Sequence, residues 1–155
     1  MKTCCFIGHR KINETKGLRL KLYEIIENLV INENVDTFLF GSKSRFDDLC
    51  LETVTKIREK YPNIKRIYVR AEYENISEHY ENYLLKSYEE TYYPEKIKNS
   101  GRAVYVERNF EMINKSQICI VYYDEKCAPE NRKSGTKTAF DYAIKQGKRI
   151  IKFPM

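Results

Sequence analysis

The sequence predicts an α/β fold, an open and mainly parallel sheet with helices on both faces, and three observations carry that expectation. Short runs of β-branched and aromatic residues alternate with longer stretches of helical apolar periodicity along the whole chain. The clearest run, Ile118 to Tyr123, is apolar throughout, as expected of a strand buried on both faces. The strands are also followed by turns rich in glycine, hydroxyls and cations that open into helices. At 155 residues the chain fits one domain with a sizeable core.

The elements follow in order. Thr3 to Ile7 is a first strand, broken by Gly8-His9-Arg10-Lys11. From Thr15 to Val30, Leu18, Leu22, Ile25, Ile26 and Leu29 form the apolar stripe of a long amphipathic helix. Val35 to Phe40 is a second strand, ended by Gly41-Ser42-Lys43-Ser44. A helix over about 46–60 turns Leu49, Val54 and Ile57 inward, and Pro62 helps to stop it. Lys65 to Ala71 gives a third strand. Ser77 caps a helix that the pattern carries to about Tyr92, and Gly101 precedes a short strand at Ala103 to Val106. A helix from about Arg108 to Lys115 leads into the strand Ile118 to Tyr123. The last helix, Thr136 to Gln146, has Ala139, Tyr142, Ala143 and Ile144 at helical spacing, and Gly147 as its stop. Arg149 to Phe153 closes the chain as a final strand. The repeating βα alternation makes the expected architecture Rossmann-like, and such sheets bind ligands beyond the carboxyl ends of their strands.

Composition excludes several classes. No apolar run is long enough to span a bilayer and the N-terminus has no signal-peptide apolar region, so a soluble, cytoplasmic protein without a membrane partner is expected. The five cysteines contain no C-x-x-C pair, and with only His9 and His79 beside them they match no zinc pattern. They read as small buried hydrophobes, with Cys4 and Cys5 on opposite faces of their strand. Neither a metal nor a resident cofactor is expected.

The chemistry concentrates in loops. Those after strands one, two and five share one sheet edge in this architecture: Gly8 to Lys11, Gly41 to Arg45, and Asp124 to Thr136. They combine glycines and hydroxyls with cations, the last contributing Lys126, Arg132, Lys133 and Lys137. Ser134-Gly135-Thr136 opens a helix, so its free N–H groups, hydroxyls and helix dipole suit an anion. Arg10 is suited to bidentate phosphate binding, with His9 beside it. Tyr73, just after the third strand, is placed to stack on a base, and Asp47 to meet a ribose hydroxyl. No G-x-G-x-x-G and no P-loop pattern is present.

The order of these motifs resembles the SLOG superfamily, the Rossmann-like group of DprA/Smf proteins, LOG phosphoribohydrolases and YpsA-like proteins. Cys5-Phe6-Ile7-Gly8-His9-Arg10 is similar to its opening strand and Gly-x-Arg turn, and Phe40 to Asp47 to its second glycine loop. Arg108-Asn109 resembles its Arg-Asn motif, and Ser134-Gly135-Thr136-Lys137-Thr138-Ala139 its Ser-Gly-x-x-Thr-Ala signature. The resemblance implies binding of nucleotides, nucleotide-derived signals or single-stranded DNA at this edge. It departs where LOG-type hydrolases carry a catalytic glutamate, a position held here by Ala139.

The expected ligand is therefore a nucleotide or a nucleotide-derived small molecule, bound by a sensor or a sequestering protein. Gly8, His9, Arg10, Gly41, Ser42, Lys43, Asp47, Tyr73, Arg108, Asn109, Ser134, Gly135 and Thr136 are the candidate contacts. Single-stranded nucleic-acid binding is the alternative, favoured by a pI near 9.0. A further alternative is an N-glycosidic hydrolase, with Asp47 or Glu107 supplying the carboxylate. A homodimer is expected from the tyrosines crowded between Tyr73 and Tyr93.

Overall fold

The computed structural model describes residues 2–98, 101–127 and 135–155. Six strands form a single sheet, β1 (Lys2–Gly8), β2 (Val35–Phe40), β3 (Lys65–Val69), β4 (Glu90–Tyr92), β5 (Ile118–Tyr122) and β6 (Arg149–Phe153). All five pairings are parallel, in the order β4-β3-β2-β1-β5-β6. Helices α1 (Lys16–Glu33) and α2 (Arg45–Lys60) pack together, as do α4 (Ala103–Lys115) and α5 (Gly135–Lys145); the short α3 (Glu78–Leu84) joins β3 to β4. The predicted fold class is the observed one.

Two apolar clusters show how the sheet is covered on both sides. Cys4, Phe6, Phe38 and Phe40 face Leu22 and Ile26 of α1 and Leu49 and Ile57 of α2. Cys5, Ile7, Leu39, Cys119 and Val121 face Met112 and Ile113 of α4 and Ala139 and Ala143 of α5. The adjacent Cys4 and Cys5 thus serve opposite faces, as strand alternation requires. Both are free thiols, as are Cys50 and Cys119. Strand order reverses between β1 and β5, with α1 leaving β1 on one face and α5 following β5 on the other. Rossmann-like sheets open a crevice at such a switch point.

The structure differs from the sequence reading in the middle of the chain. The helix begun by Ser77 ends at Leu84 instead of running to Tyr92, and residues 90–92 form the edge strand β4. Tyr88 leaves the helix to pack on Phe40 and Tyr68, with ring centroids 5.8 and 5.2 Å away. Glu89 then accepts hydrogen bonds from Arg66 N, Nε and Nη2 at 2.8, 3.0 and 2.7 Å, setting the register of β4 on β3. β3 itself ends at Val69, two residues early. The strand expected at Ala103 to Val106 is the first turn of α4, which makes Arg108 and Asn109 mid-helix residues. Val104, Arg108 and Met112, spaced by four, bury one face of that helix, and packing overrides the strand propensity of Val and Tyr. Of the crowded tyrosines, Tyr88 is taken up by the core and Tyr92 donates to Glu111 at 3.1 Å, while Tyr73 and Tyr83 stay exposed.

Candidate functional site

A cleft of about 960 Å³ opens beyond the carboxyl ends of β1, β2 and β3. Its walls are the turn Gly8–Lys11, the turn Gly41–Ser44, the segment 70–73, the face of α4 from Arg102 to Asn109, and the first turn of α5. The structure brings together Gly8, His9, Arg10, Gly41, Ser42, Lys43, Tyr73, Arg108, Asn109, Gly135 and Thr136 around it. Ser134 lies outside the described residues, as do Arg132 and Lys133. Asp47 does not line the cleft.

The glycines have distinct jobs. A Cβ on Gly8 would sit 2.3 Å from Phe46 Cδ2, so the missing side chain lets α2 press against the end of β1. A Cβ on Gly41 would meet Arg108 Cδ and Met112 Sδ, both at 2.6 Å, so this glycine admits α4. Helix packing thus accounts for two glycines that the sequence suggests for close approach to a ligand. Gly135 differs, because a Cβ there would meet nothing within 4 Å.

Asp47 is a structural anchor. One carboxylate oxygen, Oδ2, accepts from Gly41 N at 3.2 Å and from Ser42 N at 3.1 Å. Its own N–H donates to Ser44 Oγ, the N-cap of α2, at 3.0 Å. It is 3 % exposed, and desolvation raises its pKa from the ordinary 3.8 to about 6, against the pull of the two backbone donors and Arg108. The ribose role expected for it gives way to bracing the second turn.

Arg108 braces the same turn from the other side. Its Nη1 donates to the Gly41 carbonyl and its Nε to Asn109 Oδ1 at 3.2 Å. The guanidinium lies 5.6 Å from the centre of the Tyr105 ring. Gly41 is therefore gripped through its N–H by Asp47 and through its carbonyl by Arg108. His9 ties the first turn to the segment after β5, with Nε2 lying 3.0 Å from Asp124 N and 3.1 Å from its carbonyl oxygen. Burial lowers the His9 pKa, so the ring is neutral at neutral pH.

The cations divide into used and unused. Arg45 pairs with Glu14 and Glu52, and Lys137 with Asp141 at 3.2 Å, so these expected site cations are already engaged. Arg70 holds the carbonyls of Tyr73 and Glu74 at 3.4 and 3.1 Å, which fixes the turn after β3. Arg10, Lys11, Lys43 and Arg102 line the cleft and make no ion pair or side-chain hydrogen bond among the described residues. Against them stands one carboxylate in the described lining, Glu72, which accepts from Tyr105 Oη at 2.5 Å.

Arg102, Tyr105 and Glu72 escaped the sequence reading. Tyr105 sits on the stretch read as a strand and Arg102 just before it, and Glu72 lay just past the strand end with no motif around it. The carboxylates required by the hydrolase alternative do not line the cleft: Asp47 is used as above, and Glu107 accepts from Lys98 N at 2.8 Å. Ala139 is 1 % exposed in the contact between α5 and the sheet. Among the described residues no group of three His, Cys, Asp or Glu could hold a metal ion, and no helix is long and apolar enough to cross a membrane.

No family model matches the sequence, and no curated protein matches it. Among solved structures, it is similar to 2,3-dimethylmalate lyase, a PEP mutase/isocitrate lyase superfamily member, at 9% identity and a TM-score of 0.35. The alignment covers 99% of this chain and 51% of that one, so the chain spans about half the length of the lyase.

Proposed function

We propose that this protein binds a nucleotide or a nucleotide-derived small molecule at the carboxyl edge of its sheet, as a sensor or a sequestering protein. The observation that carries the reading is the set of four cations, Arg10, Lys11, Lys43 and Arg102, that have no ion-pair or side-chain hydrogen-bond partner among the described residues and line one cleft at the carboxyl edge of the sheet. The first turn of α5 adds the positive end of its helix dipole and the Thr136 hydroxyl at the same place. Tyr73, 61 % exposed, offers an open ring for a base. The motif order shared with the SLOG superfamily supports the same ligand class.

Binding to the folded state alone raises its stability. At about a hundred times its Kd a nucleotide adds about 2.7 kcal/mol, which is a Tm rise of about 5–10 °C for a chain of this size. A thermal-shift panel of mono-, di-, tri- and cyclic nucleotides measures it. Arg10→Ala combined with Thr136→Val should abolish the rise without changing the unliganded Tm by more than a few degrees. No rise with any nucleotide removes the proposal.

A further inference from the structure

Resting on that reading, we infer that Glu72, held by Tyr105, marks the sugar end of the cleft and accepts hydrogen bonds from the vicinal hydroxyls of a ribonucleoside polyphosphate. A carboxylate repels phosphate, so Glu72 marks where the phosphates of the ligand do not sit. In the described lining it stands against Arg10, Lys11 and Lys43 from the turns after β1 and β2. It follows β3, one strand from β2 and two from β1, which sets it about 5 Å along the sheet from the Lys43 turn and about 10 Å from the Arg10–Lys11 turn. A nucleoside di- or triphosphate spans that separation better than a monophosphate does.

The local geometry suits hydroxyl recognition. Tyr105 Oη occupies one oxygen of Glu72, Oε1, at 2.5 Å, and the other oxygen has no protein donor among the described residues. That hydrogen bond raises the Tyr105 pKa, with Arg10 and Arg108 pulling the other way, so the phenol keeps its proton and remains a donor to Glu72. The turn is fixed in advance, because Arg70, two residues before Glu72, holds the carbonyls of Tyr73 and Glu74 that follow it. The exposed Tyr73 ring follows Glu72 directly, which puts a base-stacking surface next to a sugar-reading carboxylate.

The test compares the best-binding of the four ribonucleoside triphosphates with its 2′,3′-dideoxy counterpart, by calorimetry, on wild type and on Glu72→Ala. Glu72 is exposed to solvent, so water satisfies it when the hydroxyls are missing and the preference is modest, about tenfold for the ribonucleotide. Glu72→Ala should bring the ratio of the two affinities to about one. Removing a negative charge from a cationic cleft strengthens both ligands alike, so the ratio reads the hydroxyl contact and nothing else. Tyr105→Phe, which keeps the carboxylate but frees it, should give an intermediate ratio. A ratio near one in wild type, or an unchanged ratio in Glu72→Ala, overturns the inference and leaves nucleotide binding standing. No binding of any of the four triphosphates overturns the inference alone, and the reading it rests on falls only when the mono-, di- and cyclic nucleotides fail as well.

Discussion

A buried carboxylate that braces a loop carries its own pH signature. Asp47 has a folded pKa of about 6 against an ordinary 3.8, so the folded state holds this proton more tightly than the unfolded chain. Its contribution to stability is therefore complete below about pH 4 and is lost as pH rises through 6. The full swing is on the order of 3 kcal/mol, from a shift of about two units at 1.36 kcal/mol each. Asp47→Asn lacks this titration. Urea unfolding of both proteins from pH 4 to 7 should show wild type losing stability relative to the variant as pH rises, with most of the change between 4 and 6. A difference that stays flat, or that grows with pH, contradicts the assignment. The sequence placed an acid near the N-terminus of a helix, and that much was legible. Its reach back to Gly41 and Ser42 depends on how the turn folds over α2, which no local pattern states.

At the scale of elements, the outer part of the sheet rests on one ion pair. β4 has three residues and hydrogen-bonds to β3 alone, so its own pairing is marginal. Glu89 supplies the missing hold through Arg66, whose side chain is 10% exposed, while Arg58 Nε approaches the same carboxylate at 3.4 Å. Glu89→Ala leaves the Arg66 guanidinium buried without its carboxylate, a loss of about 3 kcal/mol. Hydrogen exchange should show the amides of Glu90–Tyr92 losing protection while those of β1 track the global stability. A variant within about 1 kcal/mol of wild type, with β4 still protected, refutes that role. This was also where the sequence was hardest to read. Strands β1, β2, β5 and β6 are rich in β-branched and aromatic residues and emerged within a residue or two of their observed bounds. β4 is too short to show a pattern, and its Glu-Thr-Tyr reads equally well as the end of a helix. The start of α4 carries Val104, Tyr105 and Val106, whose strand preference is overridden by contacts with Gly41 and the sheet. Misreading that turn hid Arg102 and Tyr105, and with them a wall of the cleft.

For the whole molecule, the question is whether its charge serves a compact ligand or a strand of nucleic acid. The net charge is +6, from 28 basic and 22 acidic residues. Many of the cations are spent locally, as in Lys60–Glu27, Lys65–Glu90 and Arg149–Glu33. Such surface pairs add little stability, but they remove positive field from the faces where they lie. At the cleft the four cations without partners among the described residues are concentrated over a short distance. A single strand crossing only this cleft would have about one phosphate neutralised per cation, releasing about 0.7 counterion for each. The logarithm of its affinity should then fall against the logarithm of salt with a slope of about −3. Raising salt from 50 to 200 mM would weaken it about fifty-fold. Because the strand and a nucleotide would share the same cations, a saturating nucleoside triphosphate should displace a labelled oligonucleotide completely. Fluorescence anisotropy across a salt series, with and without the triphosphate, measures both quantities. A slope well beyond −4, together with binding that the triphosphate leaves untouched, would place the strand on a longer basic track and make nucleic acid the ligand. A slope near −3 with full competition keeps the cleft as the site and a small phosphorylated molecule as what it holds.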